Sequence, residues 1–470
     1  MSSISTLSNW QPASRYAAPA SGRSLNPVVA RLDAAAGTSP PSTIVALSPE
    51  ALAAAAAPVS TGQRYHELGA DILKQLGTGS VIPPDHTKLP DTVDNRFGLS
   101  VTTRSGAKLE LTLANMDDEM IFQVSSSAEL KDDERKALAG LADAFQAAID
   151  GMAEPNPQVR LGGLTRFDHQ FVQSIDFHAE VKTADATTQT LDFSIDDARR
   201  KVSIGGPDGK AEVNVDTGAV EHVGTRQQQA KAINNYLAQF DQAVSRGHGD
   251  KRLMAMFKDA FSDMNRTATS EERKDALAAD SRWQLNSDRS TLTGLSDFSA
   301  SVTQTPTSSN PRKPLEQDNF SYDVSQSTTV KTPTLNERAI SQSQQSHLGA
   351  QFHTAIEKSS APFFDGTPQT QNYEYHQIDD SARSNVSLNF RDGKLNKATL
   401  EQMANQSERV QTFLLGKLTK DKTTPSQQSL VRDLLPSLTT YERYKTEEAL
   451  NDNIFLLGSP GELVARNEQF

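Results

Sequence analysis

Ile175-Asp176-Phe177-His178-Ala179 decides the fold class. Apolar and polar residues alternate from it to Val181, the period of a strand with one buried and one wet face. The same period returns in Leu191 to Ile195, Val202 to Ile204 and Val213 to Val215. Gly205-Gly206-Pro207-Asp208-Gly209 turns between the last two, so the set is an antiparallel meander. Helices follow. Thr225-x-x-Gln228 is a capping box ahead of Ile233, Leu237, Phe240 and Val244. Leu253, Met256, Phe257, Ala260, Phe261 and Met264 form the strongest apolar stripe in the chain, and Thr269-x-x-Glu272 caps a short third helix.

Upstream, the pattern is similar. Tyr65, Leu68, Ile72, Leu73 and Leu76 stripe a helix ending at Gly77. Phe97, Leu99 and Val101 turn through Ser105-Gly106 into Leu109, Leu111 and Leu113, a hairpin extended by Ile121 to Val124. Leu138, Leu141, Phe145, Ile149 and Met152 then recur with helical spacing, behind Asp132, Asp133 and Glu134, whose carboxylates suit a helix N-terminus. Residues 62–294 therefore read as a main α+β domain of two meanders, each followed by helices.

Outside that body, residues 1–60 read as a disordered tail. Ten serines fall in the first fifty residues, with prolines at 12, 19, 27, 40 and 41, and no period holds. Leu47-Ser48-Pro49-Glu50-Ala51-Leu52 is the one helix start there. Residues 295–319, rich in Ser, Thr, Gln and Pro, read as a linker. Residues 320–450 read as a smaller α+β unit. In it Tyr373 and Tyr375 alternate, as do Val386, Leu388 and Phe390, and Arg391-Asp392-Gly393 turns into a helix carrying Met403, Val410, Leu414 and Leu418. Thr424-Pro425-x-Gln427 opens another helix with Leu430, Val431, Leu434 and Leu435. Ser341 to Gln351 fits a polar strand, a weak helix or a loop, and residues 451–470 read as a peripheral C-terminal tail. The fold expected is thus α+β, two units of antiparallel β-meander plus amphipathic helices behind a disordered N-terminus.

Composition narrows function by exclusion. The 470 residues carry net charge −12, only 36% are hydrophobic, and none is cysteine. Disulfide scaffolds, iron–sulfur clusters, thiolate zinc sites and cysteine nucleophiles are excluded together. The acidic balance argues against nucleic acid as partner. The longest apolar runs fall far short of the roughly 20 residues that span a bilayer, and no signal peptide opens the chain.

No motif carries chemistry. Gly205-x-x-x-Gly209-Lys210-Ala211 resembles a phosphate loop but joins strand to strand, with no helix to aim at an anion. Gly77-Thr78-Gly79 follows a helix, the reverse of a dinucleotide site. Ser105-x-x-Lys108 has serine–lysine spacing but straddles a hairpin turn. The nine histidines form no i, i+3 or i, i+4 ligand pair; His347 and His353 share a strand face about 20 Å apart. Asp117-Asp118-Glu119, Asp196-Asp197 and Asp379-Asp380 fall at turns or strand ends, and neighbours on a strand point to opposite faces. Arg199-Arg200-Lys201 reads as a solvated hairpin end. No catalytic, cofactor-binding or metal residue is therefore assigned, and no cofactor.

The tail is more specific. Ile4 stands in a Ser-rich opening with no acidic residue before Asp33. That composition resembles the uncleaved export signals of substrates of plant-associated type III secretion systems, which must stay unfolded to pass a narrow conduit. Leu47-Ser48-Pro49-Glu50-Ala51, with Asp133-Glu134-Arg135-Lys136-Ala137-Leu138, Phe145 to Gly151, Gly163-Leu164 and Phe167-Asp168, resembles a set of uncharacterised pseudomonad-type Gram-negative proteins, some flagellum-linked. The likeness runs through most of residues 45–450, and its motifs are structural. Some members bear a lactate dehydrogenase label, which finds no support in a chain without the dinucleotide fingerprint. The leading expectation is a non-enzymatic interaction protein with a protein partner, exported without a cleaved signal or envelope-associated. Beside it stand a cytoplasmic accessory protein of flagellar or secretion machinery, and an enzyme of unrecognised type using the Asp379-Asp380 and His376 neighbourhood.

Overall fold

Thirteen strands, described in a computed structural model, follow one another in a single antiparallel sheet. The description covers residues 60–79, 93–116, 119–183, 187–218, 223–266, 291–334, 336–357, 362–439 and 454–468. The tail to residue 59, its Leu47–Leu52 helix start, the Thr269 cap and Asp117-Asp118 lie outside those residues.

Helices α1 (Thr61–Arg64) and α2 (Leu68–Gly77) come first. Strands β1 (Asn95–Thr103), β2 (Lys108–Met116) and β3 (Glu119–Ser126) form the expected hairpin with its extension. Helices α3 (Asp132–Ala139) and α4 (Ala142–Met152) split at Gly140-Leu141 where the spacing predicts one helix. Then β4 (Val172–Lys182), β5 (Thr188–Ile195), β6 (Arg199–Gly206) and β7 (Gly209–Asp216) make the meander expected from their alternation. Helix α5 (Arg226–Gly247) begins at the capping box: Thr225 Oγ1 accepts from Gln228 N at 3.2 Å, and Gln228 Oε1 accepts from Thr225 N at 3.0 Å. Helix α6 (Lys251–Asn265) carries the predicted stripe. Asp250 caps it.

The meander does not stop at residue 294. Strand β8 (Phe298–Gln304) pairs with β7 on one side and β9 (Asn319–Thr334) on the other, so the expected linker holds a strand of the common sheet. The sheet continues through β10 (Glu337–Ala355), β11 (Tyr373–Arg391), β12 (Lys394–Leu414) and β13 (Lys417–Asp433), and the described elements belong to one compact unit, not two. The strand order runs from β13 down to β4, then β1-β2-β3, because β4 returns to pair with the free side of β1.

Three expectations in the far half are corrected. The helix expected on Met403, Val410, Leu414 and Leu418 is strand β12 and its hairpin. Asp392 and Gly393 take φ of 52° and 74°, the left-handed pair that tight antiparallel hairpins need, so the turn feeds a strand. The helix opened at Thr424-Pro425 is strand β13, where an edge position tolerates proline. Among the described residues there, only α7 (Leu435–Thr439) is helical. The C-terminal tail is not peripheral: Ile454, Phe455 and Leu456 are buried, and α8 (Pro460–Glu468) packs on β12 and β13.

The sheet is two-faced almost throughout. On the helix side, Leu111, Leu99, Phe177, Phe193, Val202, Val213, Ala300 and Val324 register side by side and are all buried. Phe240 of α5 locks this layer, 4.9 Å from Phe257 and 5.0 Å from Phe261 between ring centroids. Arg200, expected in a solvated turn, is buried instead. Its guanidinium donates to the carbonyls of Met264 and Arg266 at the end of α6, where the helix dipole favours a cation.

Further along, glutamines stand among the buried apolar positions. Gln344 donates to Ile454 O at 2.9 Å and accepts from Leu456 N at 3.1 Å, as a neighbouring strand would. Gln402 donates to Phe455 O and Ser384 to Ile454 O. Gln326 and Gln342 hold residues 293–296 in the same way. Ser341 to Gln351 is therefore a polar strand that binds main chain crossing its face.

Candidate functional site

The other face of the sheet carries no helix among the described residues. One register row crosses it: Asp176 beside Ser194, then Lys201, Asn214, Ser299, Ser325, Gln345, Arg383 and Met403, one residue per strand from β4 to β12. Period-2 alternation puts each opposite a residue of the helix-side layer. Three hollows of about 340, 760 and 800 Å³ lie along the row. The first two share Asp176, Ser194 and Lys201, and the last two share Asn214 and Ser299, so they join into one furrow across the strands.

Ion pairs on this face are local. Lys201 Nζ lies 3.0 Å from Glu212, His178 Nδ1 2.6 Å from Asp192, and His347 Nε2 2.9 Å from Asp379. Asp176 and Asp323 hold no ion pair among the described residues. Partial burial pushes the Asp176 carboxyl above its ordinary range; Lys108 draws it down and Asp196 pushes it up again. The furrow thus presents acceptor oxygen and the carboxylates of Asp176 and Asp323, beside small hydroxyls and the guanidinium groups of Arg199 and Arg383. It offers no nucleophile held by a base.

At one end, residues 305–318 fold over the same face. The His353 side chain is fully buried, with Nδ1 2.6 Å from Asp318 Oδ1 and Nε2 3.3 Å from Glu316 Oε2. Tyr373 donates to Glu316 at 2.7 Å, and Tyr373, Tyr375 and Phe364 surround the imidazole. Burial, then the Glu316 charge, pushes the Tyr375 hydroxyl up to about 12 and keeps it a donor, to Gln351 at 2.8 Å. This cluster fastens the 305–318 segment to the sheet.

The Asp379-Asp380 pair divides between the faces, as adjacent strand residues must. Asp379 is on the open face with His347; Asp380 points to the helix side and holds Arg246 of α5, at 2.5 Å from Nε. Arg246 reaches Glu408 at 3.4 Å, and Glu408 accepts from His376 Nδ1 at 2.9 Å, whose Nε2 lies 3.0 Å from Thr354. Burial would raise the Glu408 carboxyl, but the His376 contact and the Arg246 charge outweigh it and hold it low. His248 and His376 stack on the two sides of Phe352, and burial lowers the His248 imidazole. Asp380 and His376 therefore share one network but are saturated by structural partners. A cavity of about 580 Å³ adjoins Arg246 and Asp380.

Other residues noted in sequence fall in turns. Asp196 accepts from Ala198 N and Arg199 N, Asp197 pairs with Arg104, and Ser105 and Lys108 flank the β1–β2 turn. Among the described residues no group of three or more His, Asp or Glu is placed to hold a metal ion, and no helix is long and apolar enough to cross a membrane. No family model, curated protein or solved structure matches this chain.

Proposed function

We propose that this chain is a non-enzymatic interaction protein that receives an extended segment of a protein partner across the uncovered face of its sheet. The carrying observation is the unbroken polar row from Asp176 to Arg383 along a joined furrow. The helix-side face supplies the chemical precedent. There the same strands use Gln344, Ser384 and Gln402 to bind main chain laid across them. On the open face Gln345, Ser325 and Asn214 offer like groups, and unpaired Asp176 and Asp323 favour basic side chains on the partner. A photo-reactive residue at Ser194 or Ser325 should capture one protein in native cells, and the same residue at Ala230, on the exposed side of α5, should capture none. Equal capture at Ala230 would remove the furrow from the reading.

The tail supports an exported or envelope-associated life in a Gram-negative cell, since its first 32 residues contain no acidic residue. A reporter fused to residues 1–60 should leave the cell only when a type III apparatus is present. Retention, with recovery of flagellar or secretion components from cytosol, would move the protein to the accessory role. Turnover of any substrate abolished by Asp380→Asn would move it to an enzyme.

A further inference from the structure

The sheet ends in two edges of opposite construction. Strand β13 is exposed along most of its length and carries Lys417, Lys420, Lys422 and Pro425, the devices that keep a free edge from pairing. Strand β3 has none of them: Met120-Ile121-Phe122-Gln123-Val124-Ser125-Ser126 contains no charge, proline or glycine. Met120, Phe122 and Val124 turn to the core and are only partly covered by it.

The hydrogen-bonding direction along β3 follows from its pairing. Ser127 N donates to Lys108 O, and the β2–β3 register runs without a shift. By alternation, the main-chain groups of residues 125, 123, 121 and 119 also face β2, whereas those of Met120, Phe122, Val124 and Ser126 point off the edge. Among the described residues no backbone group receives these four.

We infer that β3 pairs antiparallel with β3 of a second copy, with Phe122 on the two-fold axis. That register places Met120 opposite Val124′, Phe122 opposite Phe122′ and Ile121 opposite Gln123′, and each outward-facing pair exchanges two main-chain hydrogen bonds. No charge faces a like charge, because Glu119 lies opposite Ser125′. The partly covered Met120, Phe122 and Val124 meet their own copies and extend the core layer across the axis. Pairing β3 with β13′ would instead build an open fibre, and the lysines and proline of β13 oppose it. The guarded edge leaves the unguarded one as a closed, two-fold contact.

The absence of cysteine makes the test direct. Phe122→Cys puts a single thiol on the axis, where facing Cα atoms about 5.5 Å apart suit a disulfide. Mild oxidation of the full chain should give a covalent dimer, and Val431→Cys on β13 should give none. Val124→Pro removes one outward N–H and keeps the bonds to β2. In sedimentation it should weaken association about tenfold or more, with an unchanged circular dichroism spectrum. A wild-type chain that sediments as a monomer at all concentrations overturns the pairing. So does a dimer that Val124→Pro leaves intact, or cross-linking at Val431 in place of Phe122.

Discussion

The near and far halves of the sheet obey one rule of alternation and differ in how much polar chemistry they bury among the apolar side chains. From β1 to β8 the helix side is Leu, Phe, Val and Ala, covered by α4, α5 and α6. From β9 to β12 the apolar layer, with Tyr322, Ile340, Val386 and Leu400, is interrupted by Gln326, Gln342, Gln344, Ser384 and Gln402, covered in part by irregular main chain at residues 293–296 and 454–456. An apolar layer accepts any close-packed cover, because burial is not directional. A glutamine layer accepts one path only, since every buried amide must meet its own partner.

The difference has measurable consequences. Phe240→Ala in the near half should lower the free energy of unfolding by about 3–5 kcal/mol, the usual result of emptying an aromatic site in a packed core. Denaturant titration gives the number; a loss under about 1 kcal/mol would mean that α5 is not tightly packed. Gln344→Ala leaves Leu456 N buried without its partner and Ile454 O with the Ser384 hydroxyl alone, and should remove about 2 kcal/mol. Hydrogen exchange should then speed up at Leu456 and its neighbours before it changes in β4 to β6. Uniform acceleration would show that the halves unfold as one.

Arg246→Met leaves Asp380 without its cation and Glu408 with His376 alone. The pair is part-exposed, so about 1–2 kcal/mol is expected, below the figure for a fully buried bridge. The pH limb identifies the contribution. The Glu408 carboxyl titrates lower folded than unfolded, so its stabilisation is present above the ordinary glutamate range and is lost as pH falls through the lower folded value. Melting temperatures below pH 5 should fall less steeply in Arg246→Met than in wild type. Asp176→Asn is the smallest effect. Its carboxyl titrates higher when folded, so the ionised form slightly destabilises neutral protein, and the substitution should gain a few tenths of a kcal/mol at pH 7 that disappears on acidification.

The near half was legible because its buried positions are apolar: Ile175, Phe177, Leu191 and Val202 announce a period of two, and Thr225 with Gln228 announces a helix. The far half was legible only in part, through Val386, Leu388 and Phe390, because glutamines stand among its buried positions. With Gln344 and Gln402 unreadable as core, the remaining Met403, Val410 and Leu414 gave a false helical spacing. Leu415-Gly416 hid a hairpin as well, for leucine rarely takes the positive φ, here 48°, that its turn demands. The furrow was invisible as a site because it is made by register. Ser299 and Asp176 are unremarkable until the pairing of β4 through β8 puts them in one row. Asp379 and Asp380 could be separated in advance, since neighbours on any strand point apart.

The segment at Ile454 also has a place in time. A ribosome releases β9 through β13 well before it releases Ile454, Phe455 and Leu456, the residues whose carbonyls and amides the glutamines hold. Until then Gln344, Ser384 and Gln402 lack the main chain they hold in the folded protein, and the longest strands of the molecule stand without their seal. The near half already has its own helices and can consolidate first. Synthesis thus imposes an order of assembly. The last stitch is a short stretch of backbone threaded across strands that were made long before it.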